Sequence, residues 1–361
     1  MSVPLFLLLL LPGLLAAEIT SIGQGPLRGS AQAVSVSNAH LAHTAQFSDA
    51  SPDVALRQVD QALRAAGSSL GQAVKLNIAV ADENVTRAVE RALARRYPLG
   101  AKAPAVSLVA GALPDKASIV AIDAIGVTRR TPKRAPQVAV LPTGPRAYIS
   151  GQSASGTLEQ ATIETLDKLK ADLSFLGLSL ADVVQVKSFV EPIAAAPAVR
   201  RAIDAYFGPE PPPQVFVEWT SKGRIEIELI AAMPAQAGAA VEHLWPPTEK
   251  PSPVFCRAVR LHAPGSIYIS GLFGAPGPAG EQIREIFRSL AAILKSTGSD
   301  LRHLAKATYY VADDEASRQL NLIRPEFYDP SHPPAASKAG VTGTGREKRT
   351  VTLDMIAVPV R

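Results

Sequence analysis

The sequence predicts an α+β protein built from three consecutive ββαβαββ units within 361 residues. Three observations carry this expectation. A short apolar strand, a polar turn and an amphipathic helix recur in that order at His40–Leu63, Ala147–Leu166 and Ser266–Leu290. Each of these helices closes on a glycine with a leucine three residues further on: Gly67 and Leu70, Gly177 and Leu180, Gly298 and Leu301. Each copy then ends in a strand that carries a carboxylate at the same place: VAIDAIG with Asp123, IEIELIA with Glu228 and VTLDMIA with Asp354. Self-similarity at a long period is the signature of a tandem array, and helices on one face of a mixed sheet give an α+β layer.

Taken in order, every unit opens with two strands, Gln32–Ser37 with His40–Thr44, Gln137–Leu141 with Ala147–Ser150, and Phe255–Leu261 with Ser266–Ser270. Alternating apolar residues around Ser-Asn, Thr-Gly or Pro-Gly turns predict that each pair forms a hairpin. A helix of about four turns follows. Leu158–Leu176, for example, places Ala161, Leu166, Leu169 and Leu173 on one face. The closing glycine suits a left-handed helix end, where it carries no Cβ penalty. The next strand has a lysine near its start in each copy, Lys75, Lys187 and Lys306, whose stems are expected on apolar surface with the ammoniums in water. A second helix (Ala198–Tyr206 in the middle copy), a proline-marked strand and the closing strand complete the unit.

The unit boundaries fall in linkers, at 18–128, 129–245 and 246–361, and residues 1–17 form an apolar run ending in small residues that reads as an export signal. A hydrophobic fraction of 47% with 19% charged residues marks a chain that folds. The net charge of +5 is spread out, and the one dense basic stretch, TRRTPKR at 128–134, reads as a solvated linker rather than a nucleic-acid surface. Six histidines without ligand spacing and a single cysteine, Cys256, predict no metal and no disulfide, and no motif calls for a cofactor.

The middle unit contains YISGQ, QATIETLDKLKADLSFLGLSLADVVQVKSFV, AYFG, PPPQVFVEW and IEIELIA, and the third contains YISG and PPAASKAGV. These segments resemble the Rid family (RidA/YjgF, also called L-PSP). The resemblance implies a chorismate-mutase-like fold and a trimer with clefts between subunits. Three fused copies are then expected to form a pseudo-trimer inside one chain that stays monomeric, exported, and free of nucleic-acid or membrane partners. It also implies hydrolysis of imines or enamines with release of ammonia, through an arginine that clamps a carboxylate and a glutamate that positions water.

Carried over, the arginine position falls on Val106, Gln214 and Ala336, and the glutamate is retained as Glu226, with Ala121 and Thr352 as its counterparts. The Ser-Gly turn is Ser150-Gly151 and Ser270-Gly271, with Thr44-Ala45 in the first unit. The expected site therefore has Glu226 and Gln214 as its catalytic pair, and Tyr148, Ser150, Gly151 and Glu218 as binding residues. Lys338 is added because, two residues beyond Ala336, it shares that residue's face of the strand. Glu226 and Glu228 also share a face, which suits either a general base or a salt bridge to Lys187 or Arg224. Two functions follow as expectations: a Rid-type hydrolase acting on a small imine, enamine or related amine, or a pseudo-trimer that binds a small molecule without turnover. RNA cleavage is a third and weaker expectation.

Overall fold

Apolar alternation lays down eighteen strands and six α-helices in the computed structural model, which describes residues 17–360 apart from 100, 101, 133, 222, 237 and 264. The expected export signal lies, all but Ala17, outside the described residues. The first unit holds β1 (Glu18–Gln24), β2 (Ala31–Ser37), β3 (His40–Thr44), β4 (Phe47–Asp49), α1 (Pro52–Ala65), β5 (Ala73–Val80), α2 (Thr86–Arg96), β6 (Ala105–Ala110) and β7 (Val120–Thr128). The second holds β8 (Val138–Leu141), β9 (Arg146–Ser153), α3 (Leu158–Phe175), β10 (Val183–Val190), α4 (Ala196–Phe207), β11 (Gln214–Glu218), β12 (Ile225–Ala232) and β13 (Val241–Leu244). The third holds β14 (Ala258–Leu261), β15 (Gly265–Leu272), α5 (Ala279–Ser296), β16 (Leu304–Val311), α6 (Asp314–Ile323), β17 (Ala335–Gly340) and β18 (Val351–Ala357).

The same strand order recurs in each unit: β6-β5-β7-β3, β11-β10-β12-β9 and β17-β16-β18-β15. The first pair in each is parallel because a helix crosses over between the two strands. The predicted face of α3 is the buried one, with Ala161, Leu166, Leu169 and Leu173 packed on the sheet. All three helix-ending glycines adopt a positive φ of 71–75°. The following N–H in each case reaches back five residues, Ser68 to Leu63 (2.9 Å), Leu178 to Leu173 (2.8 Å) and Ser299 to Leu294 (2.8 Å), closing a Schellman turn.

The predicted hairpins do not form. β2 pairs with β15, β8 with β3 and β14 with β9, so each unit's first strand completes the sheet of another unit. A hairpin would claim the same edge of β3, β9 or β15 that the incoming strand takes. Local turn signals cannot distinguish the two pairings, because both satisfy the same ladder hydrogen bonds. The exchange runs in a cycle through all three units, which makes the chain an intramolecular pseudo-trimer.

Helices lie on the outer faces, and the inner faces meet on a common axis. Val36, Ile125, Tyr148, Ile230, Tyr268 and Ile356 form the main axial core, and Ala79, Val109, Phe189, Val217, Tyr310 and Val341 close one end of it.

The ladders also set the true equivalences. Val106, Gln214 and Ala336 face Leu76, Val186 and Ala307 in turn, so the three hold one register position. Lys187 is not equivalent to Lys75 and Lys306. It lies opposite Glu228, as Asn77 lies opposite Asp123 and Thr308 opposite Asp354, so its counterparts are Asn77 and Thr308. Gln185, opposite Ile230, holds the place of the other two lysines. In the first unit Ala45 N–H donates to Gln137 O, as Ser150 N–H does to Arg257 O, so the Ser-Gly turn is replaced by Ala45-Gln46 and not by Thr44-Ala45.

At Gly177 (φ +74°) an added Cβ would meet nothing within 4 Å, so only backbone strain opposes a side chain there. Gly177→Ala is expected to lower stability by about 1 kcal/mol in urea unfolding without changing the slope. An unchanged midpoint would contradict the left-handed helix end.

Candidate functional site

At the junction of units two and three, β9 runs beside β17. The Ser150 hydroxyl donates to Cys256 O (2.6 Å) and accepts from Ala336 N–H (2.7 Å), stitching the two units together. The same clasp recurs between units three and one, where Ser270 donates to Ala31 O (2.6 Å) and accepts from Val106 N–H (2.7 Å). Between units one and two there is no serine. Gln46 fills that junction instead, its N–H donating to Gln214 O (3.1 Å) and its Oε1 accepting from Phe216 N–H (3.3 Å). At the junction of units two and three the room beside Gly151 is taken by Glu226, since a Cβ on Gly151 would lie 2.1 Å from Glu226 Oε1.

Glu226 is therefore seated against Ser150-Gly151, with Ser337 and the Lys338 N–H across the junction. Burial and then the Glu228 charge push its carboxyl up to about 7, and Ser337 and Lys338 pull it only part of the way back. This is the one junction of the three with a titratable group at this position, since Ala121 and Thr352 stand in its place elsewhere.

The expected residues do not all converge. Gln214 lies at the junction of units one and two, donating from Nε2 to Asp204 (2.6 Å), and its strand register keeps it from meeting Glu226. The pairing of these two as catalytic partners is overturned, because each strand-borne position faces the neighbour that follows in the cycle. Glu218 holds a loop of unit three, accepting from Thr342 N–H (3.0 Å) and Oγ1 (2.8 Å). Tyr148 is buried in the axial core, away from the junction. Lys338 does reach the face of Ala336, but its ammonium donates to Ser317 (3.0 Å) and Asn321 (3.2 Å) on α6.

Sequence reasoning missed Arg324. It follows α6, lies over the Tyr309 ring (4.8 Å to the centroid) and shares Asn321 Oδ1 with Lys338 at 3.2 Å. Neither cation pairs with a carboxylate among the described residues. No spacing pattern could have marked Arg324, because only the packing of α6 on β17 brings it to Lys338.

The recurring lysines are also not where expected, whereas the expected pairing of Glu228 with Lys187 is present at 3.9 Å. Their charged ends turn inward and meet on the axis. Lys75 Nζ donates to Asp354 (2.8 Å), Ser107 (2.7 Å) and Ile269 O (2.6 Å), and Lys306 Nζ donates to Glu228 (2.6 Å) and Thr308 (2.9 Å). Both pairs join different units. The expectation that the ammoniums reach water is overturned, since the three sheets bury them on one another.

Lys187 donates to the Tyr310 hydroxyl (2.7 Å) and lies 3.9 Å from both Glu228 and Asp354. Burial alone would raise Asp354, but the three lysines bring it down to about 2. Asp123 keeps only an Asn77 amide (2.8 Å), and burial pushes it up to about 6 against the pull of Asn77 and Lys187.

The fold, then, defines a class: three ββαβαββ units closed into a pseudo-trimer with junction sites between them. The sequence profile described as Endoribonuclease L-PSP matches residues 129–233 and 250–358. The chain belongs to this family, the Rid (YjgF) proteins, as a tandem array of its units. A RutC family protein of Aquifex aeolicus is 30% identical over 99 residues, which span 25% of this chain and 79% of the relative. A YjgF-family structure from Neisseria meningitidis is 20% identical with a TM-score of 0.26, covering 34% of this chain and 96% of its own. A Rid-family structure from Yersinia pestis is 18% identical with a TM-score of 0.30, covering 33% and 99%.

Asp123 binds its proton more tightly in the folded chain than in the unfolded one. Its contribution is therefore greatest below about pH 4 and is lost as pH rises through about 6. Asp123→Asn removes that slope, so relative to wild type the variant should gain on the order of 2 kcal/mol between pH 4 and 7. Urea midpoints at a series of pH values would show it. A stability difference that does not change with pH would refute it.

Proposed function

We propose that the chain hydrolyses a small imine or enamine, with release of ammonia, at the junction of units two and three. The observation that carries this reading is Glu226, a partly buried carboxyl near pH 7 seated beside Ser150-Gly151. A group that titrates near ambient pH is suited to move protons in both directions. Water adds to the imine carbon, forming a C–O bond while the C=N pair moves to nitrogen, which takes a proton. The C–N bond then breaks as the hydroxyl proton leaves, giving a carbonyl compound and ammonia. Glu226 takes the proton of the attacking water and returns one to the departing nitrogen.

No guanidinium projects from residue 336, and the cations nearby, Lys338 and Arg324, are already engaged with Asn321. The proposed substrate is thus small and is not selected through a carboxylate clamp. The same loss at Val106, Gln214 and Ala336 favours the second reading, a pseudo-trimer that binds a small molecule without turnover. The apolar run before Glu18 supports an exported protein, and the closed cycle of units supports a monomer.

The test is ammonia release from an imine generated in solution. The wild type should be active, with a rate that rises with pH through about 7, and Glu226→Gln should lose ~100-fold or more. A silent wild type with an active Ala336→Arg variant would establish an intact junction retuned for binding. Silence in both would sink the hydrolase.

A further inference from the structure

The axial lysines enclose a cavity of about 30 Å³ whose wall carries Lys75, Lys187 and Lys306 but only two carboxylates, Glu228 and Asp354. The third carboxylate of the set, Asp123, faces a neighbouring cavity of about 20 Å³, which shares Asn77 and Lys187 with the first. The wall of the larger cavity therefore has one more positive group than negative.

The surplus also appears in the hydrogen bonds. An ammonium has three N–H donors. Lys75 uses all three, on Asp354, Ser107 and Ile269 O. Lys306 uses two. Lys187 uses one, on Tyr310, because its two carboxylate neighbours stand 3.9 Å away. The Tyr268 hydroxyl, wholly buried and lining the same cavity, has Tyr148 and Ser266 beside it but no hydrogen bond of good geometry to either. Three unused ammonium hydrogens and one unused hydroxyl thus border one enclosed space. The rest of the wall includes Ile125, Ile230 and Ile356. A buried donor left unmade costs free energy, and a buried unpaired charge costs more.

We propose that this cavity is a binding site for a small monovalent inorganic anion of halide size, held on the pseudo-threefold axis by Lys187, Lys306 and Tyr268. The volume exceeds what one water needs, and an anion, unlike water, cancels the extra positive charge. The ionisable groups around it are the three lysines, Glu228 and Asp354 in the wall, Asp123 beyond Lys187, Glu226 beyond Glu228, the hydroxyls of Tyr268 and Tyr310, Arg146 and Tyr148 beside Tyr268, and the neutral His43 beside Gln185. Asp123 carries its proton below about pH 6, which leaves the surplus uncompensated and strengthens the site. All three units contribute to this wall, so the anion would bind only the closed pseudo-trimer.

The experiment is thermal unfolding of the full chain at pH 5.5 in sodium bromide or chloride against sodium gluconate at equal ionic strength. Halide should raise the midpoint by ~2 °C or more, increasing with concentration. Tyr268→Phe, which keeps the ring and the packing, should shrink that shift, and Lys187→Met should abolish it. A bromide-soaked crystal should show an anomalous peak between Lys187 and Lys306. Equal midpoints in halide and gluconate, a halide shift untouched by both variants, or only water between the lysines would each overturn the proposal.

Discussion

Every other feature depends on one constraint: no unit completes its own sheet. Each second strand offers an edge that is filled by the first strand of a different unit, β8 on β3, β14 on β9 and β2 on β15. An unfilled edge would leave a row of backbone donors and acceptors buried against a neighbour, which is costly without partners. The exchange removes that cost at three places together and binds the units in a cycle. The junctions are direct consequences. Where β9 meets β17, the clasp through Ser150 fixes the spacing that brings Glu226 against Ser337 and Lys338.

The axial ion network is the second consequence of that closure. Lys75–Asp354 and Lys306–Glu228 each join two units, so the charges find partners only once the ring has closed. Such buried pairs contribute little net stability, but separating them exposes uncompensated charge in a dry interior. They therefore favour the correct docking of the three sheets over alternative ones, more than they strengthen it. The Schellman helix ends and the apolar inner faces supply the cohesion, and the charged layer supplies register.

Much of this was legible in the sequence, and the reasons for the failures are particular. The three-unit order, the helix faces and the closing glycines follow from period and turn chemistry, which are local. Positions 106, 214 and 336 are equivalent to one another in the three units because parallel pairing conserves register. The hairpins failed because two edges competed for one strand. Lys187 was aligned two residues out of place because a lysine was matched to lysines, when the strand position required Asn77 and Thr308 as its counterparts. Within the junctions, Ser150, Gly151 and Glu226 were found from the resemblance. Gln214 was assigned to the same site only because it lies in the same unit, whereas in a cyclic assembly each unit's residues divide between two junctions. Arg324 was invisible because its approach to Lys338 is purely tertiary.

Fusing three copies into one chain changes what substitution can do. In a symmetric trimer any change appears three times around the axis, and a charge placed there is tripled. Here each position can diverge alone. Lys187 introduces a single ammonium where the other units have an amide and a hydroxyl, His43 stands where the others have Tyr148 and Tyr268, and Gln46 fills one junction while Gly151 makes room for Glu226 at another. His43 is buried and held neutral, its ring pushed down to about 3 by burial and by Arg146 despite a contact with Gln185, so it adds no charge to the axis. The result is a structure whose backbone keeps near-threefold order while a titratable carboxyl is kept at one junction, the one with Glu226. Closing or emptying the other two costs the fold little, because the clasp and the shared strands do not depend on what the junctions hold.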